Sequence, residues 1–360
     1  MEVGGIARRF VALATALVGW ITGSLLMVAI VTTTGLSAIS GSGSADTAAV
    51  GSMLLPEMKK RGYHPDFAAA IVAAGGGLGP IIPPSIIMVV IAITSNLSIG
   101  AMFLGGILPG LLMALGLLFV AWLHARRGGP QYQDAEPFSL ARLGHTFLNA
   151  LPALLLPFIV VGGIIGGVFT ATEASCIAVI AGLLISFFVY RELKPADLPE
   201  LILRTVSISS AVMIIIGTAA VFSWLIASQG VPGLIGGWLR AMSDQPWIYL
   251  LVVNILLLIV GMFMESAAAI LILMPVLMPI ALGYGIDPVH FGVVVALNLS
   301  IGLITPPYGI CLFVSCIIAK RSVAQVSSQI WRPLIPMILV LMLSTYVPEI
   351  IMALPNALLR

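Results

Sequence analysis

Ionisable side chains are scarce in this sequence. Only 8% of its 360 residues are charged and 60% are hydrophobic, whereas a soluble domain carries about 25% charged residues. That deficit excludes an ordinary water-soluble globule and suits a chain that uses lipid as its solvent. The net charge is +2, and no basic patch gathers the Lys and Arg residues, so nucleic acid is not expected as a partner. Cysteine is also thin. Cys176, Cys311 and Cys316 stand in apolar runs without a CxxC or Cys/His cluster. They read as small buried hydrophobes, and neither a metal site nor a cofactor is expected. HExxH, GxSxG and Walker A patterns are missing, and Gly75-Gly76-Gly77 lacks the strand–turn–helix surroundings of a dinucleotide site. No catalytic residues are expected and the chain is not read as an enzyme. An intramembrane hydrolase would have to force Asp46 and Glu265 into that role, with no protease pattern around them. Arg8 and Arg9 precede an apolar run longer than a signal peptide's.

What the sequence has in plenty is apolar length. A bilayer-spanning helix needs about 20 apolar residues. Stretches 98–124, 146–168, 172–190, 209–228 and 330–352 qualify as single spans. Thr170 and Thr172 can cap the third, which makes Glu173 a first-turn acid. Segments 1–20 and 230–242 look amphipathic and are expected at the interface. Two regions do not read as plain spans. Region 21–60 is cut by Ser40-Gly41-Ser42-Gly43-Ser44, and region 246–283 is cut near Gly261 and Glu265. Each reads better as a re-entrant helical hairpin, whose irregular backbone must be covered by protein or line a cavity. Each is followed by a helix broken at a double proline. These breaks are Gly79-Pro80-Ile81-Ile82-Pro83-Pro84-Ser85 within 66–95 and Gly302-Leu303-Ile304-Thr305-Pro306-Pro307-Tyr308 within 288–319.

The two regions match. Asp46, Ala48, Ala49 and Pro56 repeat as Glu265, Ala267, Ala268 and Pro275. Gly62 and Pro65 repeat as Gly285 and Pro288, Phe67 as Phe291, and Gly79 with Pro83 as Gly302 with Pro306. Charge then sets their orientation, because basic residues in short loops mark the cytoplasmic side. The first copy carries Lys59, Lys60 and Arg61 after its hairpin and no basic residue at 94–100. The second has none at 276–289 but carries Lys320 and Arg321 after its broken helix. The pattern is reversed, so the copies are expected to be inverted, the mark of a secondary transporter. Counting spans from 94–100 puts Arg126, Arg127, Arg191, Lys194 and Lys320 on one side. The fold expected is therefore an all-α integral membrane protein with inverted-topology repeats, two re-entrant hairpins and two discontinuous helices. It divides into a first repeat core (1–97), scaffold spans with a connecting arm (98–228), a second repeat core (229–320) and a C-terminal span (321–360).

Broken helices create chemistry. Pro83 and Pro306 have no N–H, so the carbonyls of Gly79 and Gly302 lose their helical donors. Freed carbonyls suit a dehydrated Na⁺, and the positive N-terminal ends of the second half-helices suit a carboxylate. The hydroxyls of Ser42, Ser85 and Thr305 can add ligands. The competing reading is a pair of proline kinks. Asp46 and Glu265 are functional intramembrane acids or N-terminal caps of the returning half-helices. Asn254 and Asn298, inside apolar helices, call for interhelical hydrogen bonds first and ligand contact second.

Taken together, Ser40-Gly41-Ser42-Gly43-Ser44-Ala45-Asp46, Lys59-Lys60-Arg61-Gly62-Tyr63, Gly79 to Ser85, Thr172-Glu173-Ala174 and Gly302 to Pro307 resemble the large permease subunit, the DctM type, of tripartite ATP-independent periplasmic (TRAP) transporters. The resemblance covers essentially the whole chain. It implies an elevator mechanism, with a moving transport domain against a fixed scaffold. It implies import of a small organic anion (a C4-dicarboxylate, sialic acid or another carboxylate) coupled to Na⁺. It further implies a small membrane subunit, a periplasmic substrate-binding protein and a multi-pass location in a bacterial inner membrane. Carried over, the Na⁺ sites fall at Ser42, Gly43, Gly79 and Ile82, and at Gly261, Gly302 and Thr305; Ser44, Ser85, Asn298 and Pro306 are the substrate candidates. In that family further membrane segments normally precede the stretch Gly4-Gly5-Ile6-Ala7-Arg8-Arg9, which here stands at Met1, so the chain is expected to be N-terminally short. A stand-alone symporter or antiporter of similar fold and a non-transporting remnant are the alternatives.

Overall fold

The computed structural model describes residues 5–133, 135–242 and 244–359. Residues 1–4 of the expected interfacial arm lie outside the described residues. The described residues form helices and connecting loops, with no strand. The amphipathic arm is α1 (Ile6–Val18). The first apolar region folds as α2 (Ser24–Ser40) and α3 (Gly43–Lys60), two helices in mutual contact joined by a two-residue turn. The first broken helix is α4 (Pro65–Gly76) and α5 (Ile86–Thr94). Then come α6 (Ile99–Arg127), α7 (Leu140–Ile165) and α8 (Ala171–Leu184), the last continued by a π-helical turn over Ile185–Val189. α9 (Leu198–Ser228) and α10 (Val231–Met242) lead into the second copy. That copy is α11 (Pro246–Gly261), α12 (Ser266–Gly283), α13 (Pro288–Gly302) and α14 (Ile310–Ala319). α15 (Val323–Tyr346) and α16 (Glu349–Leu358) close the chain.

Local chemistry explains these limits. Ser98, Ser139 and Ser322 accept from backbone amides three residues on, satisfying donors that the first turn leaves free. Thr170 and Glu173 form a reciprocal capping box that starts α8. Of the two threonines considered, the cap is therefore Thr170, and Glu173 is the first-turn acid. Pro65, Pro246 and Pro288 each stand at the first turn of a helix, where a missing N–H costs nothing.

Among the described residues, six helical stretches are long and apolar enough to cross a membrane: those of α6, α7, α8, α9, α12 and α15. α12, one arm of the second expected hairpin, meets the length criterion for a span by itself. At 18 residues it is about 27 Å long. One sequence boundary needs correction. The expected last span, 330–352, begins earlier and stops at Tyr346, and α16 is a separate helix. Pro348 pushes Val347 out of the helical region, to φ −121° and ψ 82°.

The packing repeats itself. α3 lies on α4 as α12 lies on α13, and α2 lies on α4 as α11 lies on α13. The second half-helices are exchanged: α14 packs on α3 of the first copy, and α5 packs on α12 of the second. α4 and α13 form the core, with every residue of Asp66–Gly76 and His290–Gly302 buried. Just past the end of α4, the Gly77 carbonyl accepts from the Ser300 hydroxyl of α13. These positions are equivalent in the repeat, so the two copies touch at matched residues. The hairpins open at opposite ends of α6. Gly23, before α2, packs on Ala125 near the C-terminus of α6. Tyr249 near the start of α11 stacks on Phe291, whose neighbour Gly292 packs on Met102 near the N-terminus of α6.

Candidate functional site

The hairpin tips meet the helix breaks through glycine. Gly79 approaches the first tip so closely that a Cβ there would lie 2.6 Å from the Gly43 amide nitrogen. Its counterpart Gly302 lies against Gly261, and a Cβ would lie 2.6 Å from the Gly261 Cα. No larger residue fits either contact without moving backbone. At the first tip Gly41 has φ 61°, and a side chain there would also strike the Pro84 carbonyl. Both double prolines, Pro83-Pro84 and Pro306-Pro307, are cis.

The two acids, matched in sequence, act differently. Glu265 is exposed and caps α12, accepting from the amides of Ala267 at 2.8 Å and Ala268 at 3.1 Å. Asp46 is buried and does not cap. Ser42 stands at the cap position of α3, and Asp46 sits one turn further in. There its carboxylate turns across the hairpin and accepts from Ser37 at 2.9 Å and Ser40 at 2.7 Å. The two carboxylate oxygens are each engaged by one serine, which ties the end of α2 to the start of α3. The sequence reading names Ser40 only within the tip motif and does not name Ser37; hydroxyls flanking an intramembrane acid were the available signal.

The breaks are not equivalent in their free carbonyls. Among the described residues nothing donates to the Gly79 carbonyl, as the missing amide of Pro83 predicts. The Gly302 carbonyl departs from expectation: it accepts from the Thr305 amide at 3.1 Å, a tighter three-residue turn replacing the lost four-residue bond. The Thr305 hydroxyl donates to the Ile301 carbonyl at 2.7 Å. Ser42 and Ser44 are half-buried with hydroxyls 3.5 Å apart. The Ile82 side chain packs towards Gly110 of α6 rather than the tip. Cys311, at the start of α14, approaches Gly43, so the first tip touches a residue of the second copy.

Of the four substrate candidates, Ser85 lines a large cavity. A cavity of about 810 Å³ lies between the first tip, α5 and spans α6 to α8, with Ser40, Ser85, Thr172 and Ser175 among its polar lining. Ser85 lines it, while Ser44, Asn298 and Pro306 do not. The Ser85 hydroxyl is also engaged, donating to the Pro80 carbonyl and accepting from Met88 as the cap of α5. Asn298 takes the interhelical role. It donates to Asn254 at 2.7 Å, and Asn254 donates to Thr345 at 3.1 Å, a relay joining α13, α11 and α15. One acceptor in that relay, the Asn298 side-chain oxygen, is buried with no partner. No group of three or more His, Cys, Asp or Glu side chains among the described residues could hold a metal ion.

Comparison with known proteins gives this architecture a family context. The family model for the tripartite ATP-independent periplasmic transporter, DctM component, matches residues 1–350. The chain is 45% identical to an uncharacterized protein, YgiK, of Salmonella typhimurium, over 99% of this chain and 81% of that one. It is 38% identical to the C4-dicarboxylate TRAP transporter large permease protein DctM of Rhodobacter capsulatus, over 99% of this chain and 83% of that one. It is also 40% identical to the isethionate TRAP transporter permease protein DctMQ of Oleidesulfovibrio alaskensis, over 97% of this chain and 55% of that one.

Proposed function

The chain belongs to the DctM family of tripartite ATP-independent periplasmic transporters, and on that premise we propose that it is the membrane subunit that carries a small organic anion inward on a Na⁺ gradient. In this reading the α2–α3 and α11–α12 hairpins are re-entrant. Na⁺ is held where each tip meets its break, by Ser42, Gly43, Gly79 and Ile82 at one site and by Gly261, Gly302 and Thr305 at the other. The observation that carries the proposal is the pair of glycine contacts, Gly79 on Gly43 and Gly302 on Gly261. They bring the helix end at each hairpin tip against the backbone of its break, twice, at matching places. Broken helices that supply carbonyls and positive helix ends are how transporters build such sites. The two sites differ in readiness. The Gly79 carbonyl is free to take an ion, whereas the Gly302 carbonyl must exchange its bond to the Thr305 amide.

The anion is proposed to bind beside the first tip, near Ser40 and Ser85, where the large cavity opens. The repeat cores, 1–97 and 229–320, form the moving unit of an elevator. A small membrane subunit and a periplasmic binding protein complete the system, in the inner membrane of a bacterium. Relatives named for C4-dicarboxylate and for isethionate support an organic anion as the cargo class. Proteoliposomes containing the chain and its small subunit test the reading, with uptake of labelled anions driven by an inward Na⁺ gradient. Uptake should require both Na⁺ and the loaded binding protein. Uptake that persists in K⁺ alone contradicts the coupling, and uptake without the binding protein contradicts the tripartite arrangement.

A further inference from the structure

Three elements converge at the end of the molecule that carries the basic loops. The C-terminal turn of α6 brings His124, Arg126 and Arg127; α15 brings Arg332; and the first turn of α4 brings Phe67. A cavity of about 580 Å³ opens between α6 and α15, lined by Val120, Leu123, His124, Arg127, Arg332 and Ile335. Neither Arg127 nor Arg332 has a carboxylate partner among the described residues, although acids elsewhere are paired: Asp66 with Arg321, Glu57 with Arg61 and Glu192 with Arg9. Two uncompensated guanidinium groups thus line one wall of an otherwise apolar recess.

Arg332 is held in place rather than free to wander. One of its terminal nitrogens lies 2.9 Å from Nδ1 of His124. The His124 ring stacks on Phe67 with centroids 3.6 Å apart, and its Nε2 lies 3.2 Å from the Tyr132 hydroxyl. Since a guanidinium can only donate, His124 Nδ1 accepts and Nε2–H donates to Tyr132. The Tyr132 hydroxyl in turn accepts from the His64 amide at 3.3 Å. Arg332 therefore sits at the end of a hydrogen-bonded chain that fixes its direction.

Depth supports an amphiphilic ligand. Trp122 and Trp331, the latter 56% exposed, are the sequence neighbours of Leu123 and Arg332, which line the recess. Tryptophan concentrates at the headgroup level of a bilayer. Along the helices from the arginines, towards the middle of the spans, the exposed side chains Phe119, Ile335 and Leu339 are apolar. A molecule that fits has an anionic head and a hydrocarbon tail. Guanidinium groups suit phosphate oxygens, and basic pockets between helices on the cytoplasmic side bind anionic headgroups.

We propose that the recess between α6 and α15 binds the phosphodiester headgroup of an anionic phospholipid of the cytoplasmic leaflet through Arg127 and Arg332, with an acyl chain against Leu123 and Ile335. The site is separate from the hairpin tips and from the proposed ion and anion sites.

The test uses the full chain in nanodiscs of phosphatidylcholine containing a minority of phosphatidylglycerol. Lipid retained after gentle delipidation is read by native mass spectrometry. Phosphatidylglycerol should be enriched over phosphatidylcholine, and R127Q and R332Q should each reduce the enrichment about fivefold. R332K, which keeps the charge, should retain most of it, and R142Q, altering a residue paired with Glu136 elsewhere, should leave it unchanged. The Arg127 side chain makes no hydrogen bond among the described residues, so its variant separates ligand loss from misfolding. No enrichment in the unaltered chain overturns the proposal, as does enrichment indifferent to both Gln variants. A second arm adds inorganic phosphate during delipidation. Retention should survive it; complete displacement would assign the site to a free anion and overturn the lipid.

Discussion

Asp46 shows what a single residue can do inside this fold. Its carboxylate accepts from two serines on the opposite arm of a hairpin, and it is 2% exposed. Asp46→Ala leaves both hydroxyls without their acceptor in a buried place. It should lower stability by about 1–3 kcal/mol, read as a shift in the denaturation midpoint of the detergent-solubilised protein. Ser40→Ala should cost less, because the carboxylate keeps Ser37. Glu265→Gln, whose side-chain oxygen can still accept from Ala267 and Ala268, should change stability little. Equal losses for Asp46→Ala and Glu265→Gln would contradict the different roles assigned to the two acids. The sequence made these residues a matched pair, and they are matched in position. Their division of labour was not legible, because it depends on which residue takes the cap: Ser42 in one copy and Glu265 itself in the other.

At the scale of elements the decisive contacts are the glycines between tip and break. Gly302→Ala places a Cβ against the Gly261 backbone, and Gly79→Ala places one against Gly43. Both variants should lose Na⁺-driven uptake while still inserting into the membrane. Gly144→Ala, in open space on α7, should transport like the unaltered chain. If Gly302→Ala transports normally, the tip–break contact is not an ion site. The relay through Asn254 makes a separate prediction. Asn254→Leu leaves Asn298 and Thr345 without their shared partner and should cost about 0.6–1.7 kcal/mol, the range for hydrogen bonds between membrane helices. Thermal unfolding in detergent reads it. Most helices were legible from apolar length and from proline and glycine punctuation, and the breaks fell where the double prolines stand. What was hidden is tertiary. No single-helix pattern shows that α5 and α14 pack on the opposite copy, or that Thr305 closes the turn at Gly302. The surroundings of the substrate candidates were the least legible, since the Asn298 amide donates to Asn254 and the Ser85 hydroxyl is engaged at the cap of α5, while the Asn298 side-chain oxygen keeps no partner.

At the scale of the molecule, the two matched units, α2–α5 and α11–α14, touch at Gly77 and Ser300 and approach opposite ends of α6. An elevator requires the repeat cores to slide past α7 and α8, and the large cavity lies between them. Val89 of α5 and the native Cys176 of α8 both line that cavity. Joining Val89→Cys to Cys176 with a reducible bifunctional thiol cross-linker should therefore arrest uptake, and reduction should restore it. Uptake unchanged in the bridged protein would contradict sliding at this surface.

Na⁺ binding where the tips meet the breaks, as proposed, can be measured directly and without knowledge of the cargo. Labelled ²²Na⁺ binding to the purified chain should be saturable, displaced by unlabelled Na⁺ but not by K⁺, and reduced in both Gly79→Ala and Gly302→Ala. Absence of saturable binding, or binding undiminished in both glycine variants, would contradict it.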